Sequence, residues 1–552
     1  MASAARPAVL RGVLVLALLA PAVAATGALA DGGLPGTLGT GTAVAPQVVE
    51  LVPAPAAPGQ ASTSAPAPVA AAAPPASPAP AAATTTLADL RRVVGADQLA
   101  ATGRGVDVAI IDSGVTPVPG LDAPGQLVHG PDLSFDADDP AERDLDGLGH
   151  GTHMAGVIAG VAPDSRLVSL KVGARDGAVD VTQVIAAVDW VVEHRQADDL
   201  DIRVLNLSLG FDTPQPALVD PLAYAVDRAQ QAGIVVVVAG GNDGKGDRRL
   251  SSPASNPNVL AVGAADTHGS TDRARATVAD FSAWGNGARR PDVVAPGARI
   301  ASLRAPGSTL DTSFPAARVG EGHFRGSGTS QAAAAVSGLA ALLLEQRPEL
   351  TPAEVKKLLR RSADPLPGSS RVGGAGLVDV AAAADLRTPR STPKPVALLG
   401  TGSVDLTRGT TGVSKDGTPL VGEVDVTGAP FDPAAWKAAQ LAGRTWTGGE
   451  FVGRTWTGGS WAGRTWTGGS WAGGSWAGGS WAGGSWAGGS WAGGSWAGGS
   501  WAGGSWAGRT WTGGSWAGGS WAGGSWAGGS WAGGSWAGGS WAGGAWYGTS
   551  WG

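Results

Sequence analysis

The 552-residue chain contains no cysteine. That excludes disulfides, Cys-x-x-Cys redox pairs, thiolate metal sites and a cysteine nucleophile. If the protein is exported, its stability must come from packing or a bound ion rather than from cross-links. Charge is also sparse: 15% of residues are charged and the formal net charge is −6. No basic patch points to nucleic acid, and no charge run points to a membrane surface. Beyond the N-terminus no segment is long and apolar enough to cross a bilayer. What the chain has in abundance is Gly, Ala and Pro, with 90 Gly and 38 Pro, a composition of low-complexity segments around a globular core.

The first 30 residues read as an export signal. Arg6 and Arg11 precede an apolar run from Gly12 to Ala25, and small residues allow cleavage after Ala24 or Ala30. The alternative is an uncleaved anchor, for which the run is short. Residues 31–90 are rich in Ala, Pro, Ser and Thr and read as a disordered spacer, with order beginning near Leu87.

From there apolar β-rich runs alternate with helix patterns. Strands are expected at Val106–Ile111, Leu167–Val172, Val204–Leu209, Ile234–Ala239 and Val259–Gly263. Helices are expected after His150 and at Val181–His194, Pro221–Ala232, Ser330–Gln346 and Pro352–Ser362, the last capped by Thr351. Such alternation implies an α/β fold: a mostly parallel central sheet between two helical layers, with ligands at the carboxyl ends of the strands. A globular domain over 91–386 is followed by a linker or small β-like module at 387–443, with β-like pieces at 396–399 and 423–426.

Three motifs carry chemistry. Ile111-Asp112-Ser113-Gly114 ends a buried strand with a carboxylate. Gly149-His150-Gly151-Thr152-His153 opens a helix with histidine. Gly328-Thr329-Ser330-Gln331-Ala332 opens a helix with serine. A hydroxyl nucleophile needs a base to take its proton and a third group to fix that base's tautomer.

These motifs, in the chain order Asp, His, Ser, resemble the subtilisin family of serine peptidases. The resemblance covers roughly Val93 to Ala384. It implies the subtilisin-like three-layer fold and a secreted endopeptidase acting on protein or peptide substrates through an acyl-enzyme. Ser330 would be the nucleophile, His150 the base and Asp112 the orienting acid. Asn242, in Ala239-Gly240-Gly241-Asn242, would donate to the oxyanion beside the Ser330 N–H. Ser208-Leu209-Gly210 and Gly177-Ala178-Val179 resemble the strands that pair with substrate, and Gly240 and Gly241 leave room for the side chain before the cut. Two positions depart from the family: Gln331 stands where Met is usual, and Ala334 where Pro is usual. Neither removes a catalytic group.

The same residues admit other readings. His150 and His153 form a His-x-x-His pair, but no third metal ligand is evident, so His153 is read as a packed structural histidine and no metal site is assigned. Asp144 and Asp146 are read as solvated loop carboxylates, with a calcium site as the alternative raised by relatives that bind calcium. No cofactor is required by the chemistry. A lipase or esterase would need a Gly-x-Ser-x-Gly elbow, which Gly328 and Ala332 do not provide. A surface-binding protein on an inactive protease scaffold is the remaining rival, and the intact triad counts against it.

From 444 to 552 the chain is a pentapeptide repeat, Trp-Ala-Gly-Gly-Ser with Thr and Arg variants. Every fifth position from 446 to 551 is Trp except Phe451. Its Gly content argues against helix, and its Trp faces suit stacking on sugars. Cell-wall or polysaccharide contact and a flexible tail are the two readings.

Overall fold

The computed structural model describes residues 84–197, 199–244, 250–285, 289–366, 373–409, 411–415, 418–447, 450–452 and 454. Beyond these it describes only the backbone of short strands within the repeats. The export signal, residues 31–83 and nearly all of the repeat lie outside the described residues.

In chain order the elements are α1 (Leu87–Val93), β1 (Asp107–Asp112), β2 (Leu127–Asp132), α2 (His150–Val161), β3 (Arg166–Lys171), α3 (Val181–His194), β4 (Ile202–Leu207), α4 (Pro221–Gln231), β5 (Val235–Ala239), β6 (Leu260–Asp266), β7 (Thr277–Val278), β8 (Val293–Pro296) and β9 (Ile300–Leu303). There follow α5 (Thr309–Ser313), β10 (Arg318–Val319), β11 (His323–Gly328), α6 (Thr329–Gln346), α7 (Pro352–Ser362), α8 (Val380–Asp385), α9 (Val404–Arg408), β12 (Ser414–Lys415), β13 (Thr418–Pro419), α10 (Pro433–Leu441), β14 (Trp446–Thr447) and β15 (Glu450–Phe451). The eight-stranded sheet runs β2-β3-β1-β4-β5-β6-β7, with β8 also on β6. Every pairing in it is parallel except β6 with β7.

Strand side chains alternate between two faces, and the cores follow that alternation. Val108 and Ile110 of β1, Val204 of β4, and Val235 and Val237 of β5 join one core with α2 and α6. Ala109, Ile111, Leu205, Leu207, Val236 and Val238 join the other with α3 and α4. The α2–α6 crossing is close because Gly338 has no side chain: a Cβ there would lie 2.7 Å from Val161 Cβ. The expected α/β architecture with a mostly parallel sheet is what the chain adopts. The Thr351 cap is in place, closing a capping box with Glu354.

The structure differs from the sequence reading at both flanks of the domain. Order does begin near Leu87, where α1 starts, so the spacer bound at 90 overlaps folded chain: Thr86 caps α1 and Thr85 bridges to Ile300. Much of 387–443, expected as a linker or small module, and the first residues of the expected repeat are laid onto the outer side of α3 and α4. Leu398, Val404, Phe431, Trp436 and Phe451 are buried in the core of that layer. The pieces at 396–399 and 423–426 are irregular apart from a Val424–Pro430 bridge. Their backbone groups are bonded by the domain instead, as when Leu399 N donates to Leu218 O (2.7 Å) and Val396 pairs with the Asn258 amide. A boundary at 444 cuts through packed structure, since Thr445 and Phe451 are buried.

Candidate active site

Asp112 is the last residue of β1, and the register pairs Ile111 with Leu207 on the neighbouring strand β4. Asp112 and Ser208 therefore leave adjacent parallel strands side by side at their carboxyl ends. His150 begins α2, and its Nδ1 lies 2.8 Å from Asp112 Oδ1, with both side chains almost fully buried. The same Asp112 oxygen accepts the Ser113 N–H at 2.8 Å. Gly151 permits this approach: a Cβ there would fall 2.0 Å from Gly114 O and 3.1 Å from Asp112 Oδ1.

A second carboxylate fixes the start of α2. Asp146 Oδ1 accepts from Ser113 Oγ (2.7 Å) and Gly149 N (2.6 Å), and its Oδ2 accepts from Thr152 N (2.7 Å). Ser113 Oγ in turn accepts the Gly151 N–H at 3.0 Å. Burial pushes the Asp146 carboxyl up from the usual range, and these hydrogen bonds work against that shift. Asp146 is thus not the solvated loop carboxylate expected from sequence; its oxygens satisfy the N–H groups that open α2. Asp144 stands apart, its N–H donating to Asp132 Oδ2 at 2.9 Å. Among the described residues no three His, Cys, Asp or Glu side chains group to hold a metal ion. His153 is fully buried, and burial, with lesser contributions from His150 and His323, lowers its pKa to about 3. It stays neutral at any ordinary pH.

Ser330 is the second residue of α6. Its Oγ donates to Ser208 O at 2.9 Å, while Ser208 Oγ donates to Ser330 O at 3.2 Å. Asn206 Nδ2 supports Ser208 Oγ at 2.9 Å, and Ser337 Oγ donates to Asn206 Oδ1 at 3.0 Å. Beyond β5, Gly240 N donates to Val262 O at 2.8 Å, and a Cβ at 240 would lie 3.0 Å from that carbonyl. The bare Cα of Gly240 faces β6 rather than an open pocket. Gly241 N donates to Thr329 Oγ1 (3.1 Å), and Asn242 Oδ1 accepts from Thr329 N (2.9 Å). Asn242 Nδ2 is buried with no hydrogen-bond partner among the described residues. That amide nitrogen belongs to the side chain whose oxygen holds Thr329 N, the residue next to Ser330.

Ser208-Leu209-Gly210 leave the end of β4, and Gly177-Ala178-Val179 follow β3. These two strands flank β1, so the segments stand on either side of Asp112. Sequence reasoning found the residues with local motifs and missed Ser113, Asp146 and Thr329, whose partners lie up to 88 residues away.

The subtilase family model matches residues 103–385, which contain all of these residues. The chain belongs to the subtilase family. Among its relatives, this subtilase is 37% identical over 301 residues to the serine protease AprX of Bacillus subtilis (strain 168), covering 51% of this chain and 66% of that protein. It is 34% identical to Subtilisin Savinase of Lederbergia lenta, covering 51% of this chain and 91% of that one. Against the subtilisin of Bacillus pumilus it is 35% identical, covering 51% and 92%. The subtilase thus spans just under two thirds of AprX and nearly the whole of the shorter subtilisins. About half of its own length lies outside these alignments.

Proposed function

We propose that this subtilase is a secreted serine endopeptidase that cleaves protein substrates through an acyl-enzyme. Ser330 Oγ attacks the scissile carbonyl. His150 takes the proton on Nε2 and returns it to the leaving amine, while Asp112 at Nδ1 holds the tautomer and stabilises the imidazolium. The carbonyl oxygen becomes an oxyanion between Asn242 Nδ2 and the Ser330 N–H at the start of α6, where the helix dipole also favours negative charge. Water then releases the acyl group by the same proton path. At rest the Ser330 hydroxyl donates to Ser208 O, so reaction begins when it turns toward His150. The observation that carries this reading is the buried Asp112–His150 hydrogen bond at the end of β1, with Ser330 held at the end of the adjacent strand β4. The chemistry needs no cofactor, and a structural calcium ion would show as a fall in melting temperature with a chelator.

The test is hydrolysis of a labelled, unfolded protein by purified residues 31–552, beside Ser330→Ala and beside enzyme treated with a serine-directed phosphonate. Activity is expected to vanish in both controls. An inactive wild type, even with calcium added and the repeats removed, would overturn the reading. The Trp-Gly repeat is proposed to hold the enzyme on cell-wall polysaccharide. Its deletion belongs after residue 454 rather than at 444, and unchanged retention on polysaccharide would refute that role.

A further inference from the structure

The segment after the matched domain reaches the substrate track. Asp180 follows Val179 directly and caps α3, accepting from Thr182 N at 2.9 Å. Its carboxylate is fully buried and is paired with Arg408, which is 3% exposed, at 2.6 Å. The Arg408 guanidinium also donates to Gly422 O (2.9 Å) and to Val424 O, so one side chain ties α9, the 420s and the end of the Gly177–Val179 run together. Val426 N adds a bond to Thr182 Oγ1 at 2.9 Å. On the apolar side, Val413, Leu420 and Val426 pack in one buried cluster with Ala174, Ala178 and Phe135. Ala174 and Ala178 close a turn of their own, Ala174 N donating to Ala178 O at 2.9 Å. Gly177 N also donates to Ala174 O (2.8 Å) and Ala178 N to Asp176 Oδ1 (3.0 Å), and Thr309 Oγ1 donates to Arg175 O (2.7 Å), so the turn is bonded at its base. Its exit toward α3 is held by the buried Asp180–Arg408 ion pair, and its apolar side by the wall of Val413, Leu420 and Val426.

We propose that residues 404–431 are a positioning element for the Gly177–Val179 edge, with Arg408 as its key residue, and so help set how the enzyme binds the acyl side of its substrates. This rests on the peptidase reading and on Gly177–Val179 as one bank of the cleft. Neither Arg408 nor the 413–426 wall touches the reacting atoms; both act through the edge they hold. Substrates too short to reach that edge should be indifferent to it, and longer ones should gain binding from it.

The experiment uses the full chain and a series of chromogenic peptides with one, two and four residues before the scissile bond. Three forms are compared: wild type, the pair Asp180→Asn with Arg408→Met, which leaves no buried charge unpaired, and Val413→Ala, a milder cut. Wild type should gain in kcat/KM with length. Both variants should lose about tenfold of that gain, mainly through KM, while the shortest substrate changes by less than about twofold. Equal losses on short and long substrates, following a lowered melting temperature, would make the segment merely structural and overturn the proposal. So would an undiminished length dependence. A wild type inactive on every peptide would instead strike at the peptidase reading itself.

Discussion

Asn242 divides its amide between two tasks. Oδ1 holds Thr329 N, and Nδ2 is buried with no partner among the described residues. Asn242→Ala should therefore lower kcat by about 100- to 1000-fold with little change in KM, because the lost bond exists only in the transition state. Steady-state kinetics on a peptide anilide check this; a change confined to KM would contradict it. Gln331 poses the opposite problem. It is fully buried beside the nucleophile, yet neither amide atom has a hydrogen bond among the described residues, which costs about 1–3 kcal/mol. Gln331→Met should raise the melting temperature and create a new site of peroxide inactivation, read as residual activity after oxidation beside wild type, whose Met154 is fully buried. The Asp112–His150 contact and the place of Ser330 at the start of α6 could be expected from sequence because each residue sits in a short Gly-marked motif. Asp146 was not, because its role depends on Ser113, 33 residues away, folding back onto the same turn.

Among the elements, α3 shows what a helix pattern conceals. Its sequence is apolar almost throughout and reads as an ordinary crossover helix, yet it carries Asp189, fully buried. Trp436 Nε1 donates to one carboxylate oxygen at 2.7 Å and Gln440 Nε2 to the other. These partners come from α10, in a segment whose other elements are too short to show periodicity: α9 has five residues and β12 and β13 two each. Burial outweighs both donors and pushes the Asp189 carboxyl up to about 7. The folded chain then keeps a proton that the unfolded chain has already released, so this group's stabilisation is full below about pH 4 and is lost as pH rises toward 7. Asp189→Asn, with the Gln440 amide turned to present Oε1, should flatten that slope. Thermal melts from pH 4 to 8 should show the variant gaining on wild type as pH rises; parallel curves would refute it.

For the whole molecule, the alternation of strands and helices was enough to read the sheet and its two layers, because central parallel strands are long apolar runs. The domain's limits were not readable in the same way. The family match ends at 385, and composition alone placed the next boundary at 444. The packed structure continues to Phe451 because Trp446 Nε1 reaches Ala186 O (3.0 Å) and Thr445 N reaches Glu193 (2.9 Å). Such contacts join residues more than 250 positions apart, and they have a consequence in time. Ser330 is synthesised 78 residues before Arg408, an interval of about 4–16 s at 5–20 residues per second. During that interval Ser330 exists while the residues packed behind Gly177–Val179 do not. On the peptidase reading, a chain that stops before Arg408 would carry Asp112, His150 and Ser330 but would bind long substrates less well than the finished chain, so the preference for longer substrates would be acquired last.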